Sequence, residues 1–344
     1  FAFISVVIAA TAYAGQGLNA NIGLALGGIV ICSALYAVIG LVVMSVGTRW
    51  VERLMPPVVT GAVVAVIGLN LASIPIKNMA PTGFDAWMQA VTFVSIGVVA
   101  VFTTGMTRRL LILVGLIAAC LAYAALTNGL GWGKPIAGGL IADAAWFGMP
   151  NFTAPVFEVR AIVLIAPVAL ILVAENLGHL KAVGAMTGQD MDRHIGRAFL
   201  GDGVATMVSG GVGGTGVTTY AENIGVMSAT RIYSTALFVV AALFAIVLGF
   251  SPKFGAVIHT IPLAVMGGIS IVVFGLIAIA GARIWVDNRV DFTDSRNLIV
   301  AAITLVLGTG DFTLKFGDFA MGGIGTATFG AIILNAVLSR GRGR

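Results

Sequence analysis

The sequence predicts an all-α polytopic membrane protein, and three observations carry that prediction. Its 19 Lys and Arg and 14 Asp and Glu make 33 charged positions among 344 residues, a tenth of the chain, where soluble domains carry roughly a quarter. Hydrophobic residues make up 59%, and the mean hydropathy is +1.05. These residues come in runs near the roughly 20 that a helix needs to cross a bilayer core. A soluble fold of this size has too much surface facing water to hide so much apolar residue. Composition therefore excludes a soluble enzyme, a nucleic-acid binder and a disordered chain. The net charge of +5 reads as cytoplasmic-loop positives. Cys32 and Cys120 both sit inside apolar runs, so neither a disulfide framework nor a thiolate metal cluster is expected.

Twelve segments follow one another along the chain. Residues 22–46, 57–76, 86–105, 109–127, 160–183, 232–249, 261–280 and 320–339 have the length and apolarity of spans, and 1–13, 198–210, 217–230 and 298–309 are shorter or weaker candidates. The chain starts at Phe1 inside an apolar run, with no Met and no signal-peptide n-region, so preceding residues are expected to be missing. Basic residues check the count. The exits of the even-numbered segments carry Arg49, Arg53, Arg108, Arg109, Lys181, Arg193, Arg197, Arg231, Arg283, Arg289, Arg296, Arg340, Arg342 and Arg344, which is 14 of the 19. By the positive-inside rule those exits and the C-terminus are cytoplasmic. Dropping either short segment, 198–210 or 217–230, would scramble this alternation.

The chain also carries a faint internal duplication. Pro56, Gly61 and Gly68 open the third segment, and Pro262, Gly268 and Gly275 open the tenth. Seven segments separate the two copies, so they cross in opposite directions. Secondary transporters use inverted repeats of this kind around a midplane site.

Three acids fall inside apolar segments: Glu175, Asp202 and Glu222. A carboxylate at the centre of a span costs on the order of 2.5–3.5 kcal/mol, so it faces a cavity or a partner. Glu175 and His179 are four residues apart and share a helix face. The pair suits a metal half-site, a proton relay or an imidazole that orients a carboxylate. No Cys or further His stands nearby, and His-Glu-x-x-His is absent, which argues against metal. Between the sixth and eighth segments runs Ser209-Gly210-Gly211-Val212-Gly213-Gly214-Thr215-Gly216. Gly211, Gly213 and Gly216 match the dinucleotide-binding pattern, but no soluble strand precedes them and no acid follows at the required distance. Non-helical backbone lining a cavity at membrane depth is the better reading.

Glu222-Asn223-Ile224-Gly225-Val226-Met227-Ser228-Ala229-Thr230-Arg231 resembles the signature of the nucleobase–ascorbate transporter family, also called nucleobase–cation symporter 2. That signature is a polar residue, Asn-x-Gly, four variable positions, Thr and usually a basic residue. Ala174-Glu175-Asn176-Leu177-Gly178-His179 resembles the family's other binding motif, and Phe1-Ala2-Phe3 the end of a short strand on its third helix. The acid at 222 and the Glu-x-x-x-His pair resemble the uracil and pyrimidine branch. The resemblance implies fourteen helices in a 7+7 inverted-repeat transporter fold, about twelve of them present here, with short strands in two discontinuous helices. Its core domain would comprise 1–54 and 159–250, and its gate domain 55–158 and 251–344.

Carried over by motif, the resemblance implies that Glu175 and Glu222 hold the nucleobase. Backbone groups of Phe1 and Ala221 would complete the contacts, with Tyr220 and Ser270 nearby. His179, coupled to Glu175, would take part in proton linkage, and Asp202 would tune it. Asn223, Gly225, Thr230 and Arg231 are the signature positions themselves. Two departures stand out: Ala221 replaces the Gly of the uracil branch, and Phe274 replaces a Tyr on the family's twelfth helix. The implied protein is a proton-coupled importer of a pyrimidine nucleobase, foremost uracil, in the inner membrane. It would need no cofactor beyond the proton, bind no nucleic acid, lie in the lipid bilayer and pair as a homodimer. The alternatives are a purine or xanthine–urate permease, which Gln at position 222 would have favoured, and an anion exchanger or channel, whose site should lack two acids. A membrane-embedded enzyme would need a nucleophile motif or metal set beside the acids.

Overall fold

A computed structural model describes residues 3–13, 19–136, 138–220, 223–224, 226–227, 231–316 and 319–340. In chain order its helices are α1 (Ile4–Thr11), α2 (Ile22–Val46), α3 (Arg49–Leu54), α4 (Pro57–Leu71), α5 (Ser73–Asn78), α6 (Gly83–Phe102), α7 (Gly105–Arg109) and α8 (Leu111–Ala124). There follow α9 (Gly139–Asp143), α10 (Val159–Ile165), α11 (Val168–Thr187), α12 (Ile195–Val212), α13 (Thr235–Gly249), α14 (Pro252–His259), α15 (Leu263–Asp287) and α16 (Ser295–Thr309). A hairpin of β1 (Leu314–Phe316) and β2 (Phe319–Met321) then leads into α17 (Gly323–Arg340).

The helix ends follow local chemistry. Thr82 and Asp85 form a reciprocal capping box at the start of α6, satisfying two of the backbone donors a helix start leaves open. Ser251 caps α14 through the Phe254 N–H, with Pro at the first position, where its missing N–H costs nothing. Pro167 separates α10 from α11, because it has no N–H to continue the ladder. Gly188 and Gly213, with φ of +68° and +103°, end α11 and α12 in the left-handed region that glycine enters without strain.

Among the described residues, six stretches are long and apolar enough to span a membrane: Ile22–Val46, Pro57–Asn78, Gly83–Phe102, Leu111–Gly129, Val159–Thr187 and Leu263–Asp287. They coincide with six of the eight long segments expected from the sequence, and the chain is a multi-pass membrane protein. The seventh, 232–249, is α13, whose continuation α14 turns away from it by 86°. The eighth is α17. The shorter candidates fare less uniformly. Among the described residues of 1–13 stands the eight-residue α1, 198–210 lie in the 18-residue α12, and 298–309 lie in α16. Within 217–230, residues 217–220 are not helical, so any helix there starts after Tyr220. The hairpin pairs Leu314 with Met321, Lys315 with Ala320 and Phe316 with Phe319. The strands foreseen from the family lay elsewhere, at Phe1–Phe3 and ahead of Glu222. Phe1 and Ala2 lie outside the described residues, and the described run 214–220 carries no strand pairing.

The chain divides into two compact units. The first comprises Phe1–Asn70, Phe152–Ile224 and Leu276–Arg344, the second Leu71–Asn151 and Gly225–Gly275. The first unit is organised by an antiparallel pair, α2 against α12. Gly196, Gly203 and Gly210, seven residues apart, face Gly40 and Met44, then Ser33 and Ala37, then Leu26, Ile29 and Val30. A seven-residue repeat keeps one stripe on the partner helix, and small residues let the backbones approach closely. A Cβ added at Gly203 would lie 2.9 Å from both Ala37 N and Ser33 O. Elsewhere in this unit, Asn70 donates to Gly308 O at 2.8 Å and Asp311 Oδ1 at 3.3 Å. Asp311 Oδ1 in turn accepts the N–H of Gly323 at 2.9 Å, tying α4 to both ends of the hairpin segment.

The second unit packs around Met88, Ala119, Tyr123, Ala264 and Val265. Gly268 fits against Thr92, and Gln89 Nε2 closes the carbonyl of Pro75 at 2.9 Å. No residue of α13 is buried, as expected of a helix whose apolar side chains meet lipid or another membrane protein.

Candidate functional site

The glycine-rich run builds the site by reversing the chain. α12 continues through Val212 and stops at Gly213, after which residues 214–220 run back without helix. Two side chains one helical turn apart on α12 hold this return. Ser209 Oγ donates to Thr215 O at 2.7 Å, and Ser209 O accepts the N–H of Gly214 at 2.7 Å. Thr206 Oγ1 donates to Val217 O at 2.9 Å and accepts the Val217 N–H at 3.3 Å. Thr206 thus answers both polar groups of one residue that has no secondary-structure partner, as backbone at membrane depth requires. Phe3, 5% exposed, lays its ring against Gly216; it packs beneath the returning chain.

The return carries Thr218 and Thr219 to α11, where Asn176 receives them. Asn176 Nδ2 lies 2.6 Å from Tyr36 Oη, 2.8 Å from Asp202 Oδ2 and 3.3 Å from Thr218 Oγ1. Its Oδ1 accepts the hydroxyls of Thr218 at 3.4 Å and of Thr219. Thr219 Oγ1 also lies 2.7 Å from His179 Nδ1. One buried amide, 1% exposed, therefore joins α2, α11, α12 and the returning chain. Tyr36, also 1% exposed, packs against Phe199 with ring centroids 5.1 Å apart and planes tilted by 34°, while its hydroxyl meets Asn176.

Of the residues singled out from sequence, Asp202 bonds this amide directly and His179 meets it through Thr219, while Glu175, half-buried, precedes Asn176 on α11. Tyr220 ends the return and is 44% exposed, and its carbonyl accepts the N–H of Asn223 at 3.2 Å. Arg231 takes φ of +55° and donates its N–H to Met227 O at 2.7 Å. Ser270 belongs to the second unit, on α15, where its hydroxyl donates to Met266 O at 2.9 Å; Phe274 is buried on the same helix. Phe1, Ala221, Glu222, Gly225 and Thr230 lie outside the described residues. Sequence reasoning gave no role to Asn176, Tyr36, Thr206, Thr218 or Thr219. The signal that marks Asn176 is an amide in an apolar helix, which must be hydrogen-bonded wherever it is buried.

Chemically, the cluster presents two carboxylates and an imidazole beside non-helical backbone. A carboxylate accepts from N–H groups, and once protonated it also donates to a carbonyl. Such a set suits a planar polar ligand with alternating donors and acceptors.

The model of a permease family (Xan_ur_permease) matches residues 1–316. The putative pyrimidine permease RutG of Escherichia coli (strain K12) is 67% identical over 339 residues, covering 98% of this chain and 77% of the relative. The uracil permease of Bacillus caldolyticus is 39% identical, covering 98% and 79%. That of Escherichia coli (strain K12) is 35% identical, covering 98% and 78%.

Proposed function

The chain belongs to this permease family, and from that premise we propose that it is a proton-coupled symporter importing a pyrimidine nucleobase, uracil foremost. The observation that carries the reading is the seating of a non-helical run on the Glu175–His179 motif beside Asp202, immediately before Glu222 in sequence. Uracil's edge carries N–H and C=O groups in one plane. Glu175 and Glu222 read it as acceptors, and a proton on either acid supplies a donor to a carbonyl. The backbone of Ala221 and Phe1 and the side chain of Tyr220 complete the site in this reading. The relatives named as uracil and pyrimidine permeases support the substrate class.

Transport proceeds by alternating access between a core (1–54, 159–250) and a gate (55–158, 251–344), related as inverted repeats. The C-terminus is cytoplasmic, as the distribution of basic residues indicates, the membrane is the inner one, and the gate pairs two copies into a homodimer. The test is uptake of labelled uracil in cells lacking other pyrimidine carriers, with competition by thymine, xanthine and urate and with an uncoupler. Pyrimidines should compete, the uncoupler should stop accumulation, and Glu222→Gln should abolish uptake at unchanged membrane level. Competition by xanthine or urate alone would move the protein to the purine class, and unchanged uptake by Glu222→Gln would sink the site assignment.

A further inference from the structure

The hydrogens around Asn176 are shared out among its partners. Its Nδ2 carries two hydrogens, taken by the two nearest acceptors, Tyr36 Oη at 2.6 Å and Asp202 Oδ2 at 2.8 Å. Its Oδ1 takes the one hydroxyl hydrogen of Thr219. Having given that hydrogen away, the Thr219 oxygen is an acceptor toward His179 Nδ1 at 2.7 Å. Nδ1 must therefore be protonated whenever the amide stands this way.

A proton arriving on Asp202 Oδ2 reverses every link. The new O–H needs an acceptor, and the amide supplies one by rotating so that Oδ1 replaces Nδ2. Nδ2 then faces Thr219, whose hydroxyl turns its hydrogen onto His179 Nδ1. The ring answers by losing the Nδ1 proton and holding one on Nε2, exchanged through water, so the imidazole stays neutral overall. The other neighbours of the amide, Tyr36 and Thr218, are hydroxyls. A hydroxyl donates or accepts equally well, so both orientations are satisfied. Only the carboxylate and the imidazole have fixed demands, and they sit at opposite ends.

We propose that Asn176 is a positioning residue whose amide orientation ties the proton on Asp202 to the choice of protonated ring nitrogen on His179, through Thr219. The assignment rests on the proton-coupled reading above and specifies how its two ends communicate. The titratable groups around this path are Cys32 and Tyr36 from α2, Glu175 and His179 from α11, and Tyr220 at the end of the return. Asp192, Arg193 and His194 stand at the N-terminal end of α12, about two helical turns from Asp202.

The test is ring-nitrogen NMR on protein in bilayers with imidazole ¹⁵N-labelled histidine; the chain has only 3 histidines, and His179→Asn assigns the signal. Across the titration of Asp202, the ratio of the two neutral tautomers of His179 should change by about fivefold, the worth of one neutral hydrogen bond. Thr219→Ser should keep that change and Thr219→Val should remove it, with the pH profile of uracil uptake flattened in the valine variant and not in the serine variant. Asn176→Leu interrupts the path at its other link and should behave as Thr219→Val does. A tautomer ratio in the native protein that ignores pH overturns the proposal, as does the same pH response in Thr219→Val. The tautomer measurement needs no transport, so a native protein that fails to take up uracil refutes the transport reading separately.

Discussion

Thr206→Val is the sharpest perturbation the fold offers, because it keeps the shape of the side chain and deletes only the hydroxyl. Thr206 is 1% exposed and serves both the C=O and the N–H of Val217, at 2.9 and 3.3 Å. Leaving a buried polar group unpaired costs roughly 1–3 kcal/mol. Val217 is half-buried, so water recovers part of that for the two groups, and a net loosening of about 2 kcal/mol is the reasonable estimate. At about 1.4 kcal/mol per tenfold, the local opening of the returning chain becomes about 30 times more populated. Amide hydrogen exchange measures that opening directly, since a segment exchanges through its own unfolding equilibrium. Peptides covering 214–220 should exchange about 30-fold faster in Thr206→Val, peptides in α6 and α8 should be unchanged, and Thr206→Ser should restore protection. Uracil affinity is a poorer readout: if the return is docked by several kcal/mol, losing 2 leaves it mostly docked. Exchange over 214–220 within threefold of the native protein would refute the claim that Thr206 holds the return.

Gly203→Val places a branched side chain where even a Cβ lies 2.9 Å from backbone atoms of Ser33 and Ala37. Neither can yield without moving α2, so thermal stability in detergent should fall by at least the 1–3 kcal/mol typical of overpacking (roughly), whereas Gly211→Ala, with open space around it, should be nearly neutral. Asn70→Leu frees the carbonyl of Gly308 and removes a donor to Asp311. A loss of about 1–3 kcal/mol is expected, and limited proteolysis should show the 310–322 segment cut sooner than in the native protein; equal cutting would mean that Asn70 does not secure it.

The spans were legible because the bilayer imposes one demand on every one of them, about 20 apolar residues in sequence. Where a segment answers to a protein neighbour instead, apolar counting misleads. Residues 214–220 are apolar and polar in mixture like the helices around them, yet they are held open by Ser209 at Thr215 and by Thr206 at Val217, partners that lie before them and belong to another element. In the sequence, Gly317-Asp318 separates Leu314-Lys315-Phe316 from Phe319-Ala320-Met321, a dipeptide of the kind that signals a hairpin between apolar runs. Its second strand also begins the apolar run 320–339, whose length reads as a span.

The same bias explains what was found and missed at the site. The cost of placing charge in a membrane singles out Glu175, Asp202 and Glu222, and the four-residue spacing to Glu175 adds His179; Asp202 and His179 are joined through Asn176 and Thr219. Asn176 carries no charge, so that criterion never weighed it, although burying an amide without partners is also costly. Tyr36 hides for a different reason: its ring belongs to the apolar run of α2, and only its terminal oxygen is polar. Charged groups cannot by themselves set their own spacing or protonation in a low-dielectric interior; neutral groups with fixed hydrogen counts do that. In this chain such groups are an amide and four hydroxyls, those of Tyr36, Thr206, Thr218 and Thr219. Buried Asn, Thr and Tyr within reach of the charges in a membrane sequence therefore bear on function as heavily as the charges themselves.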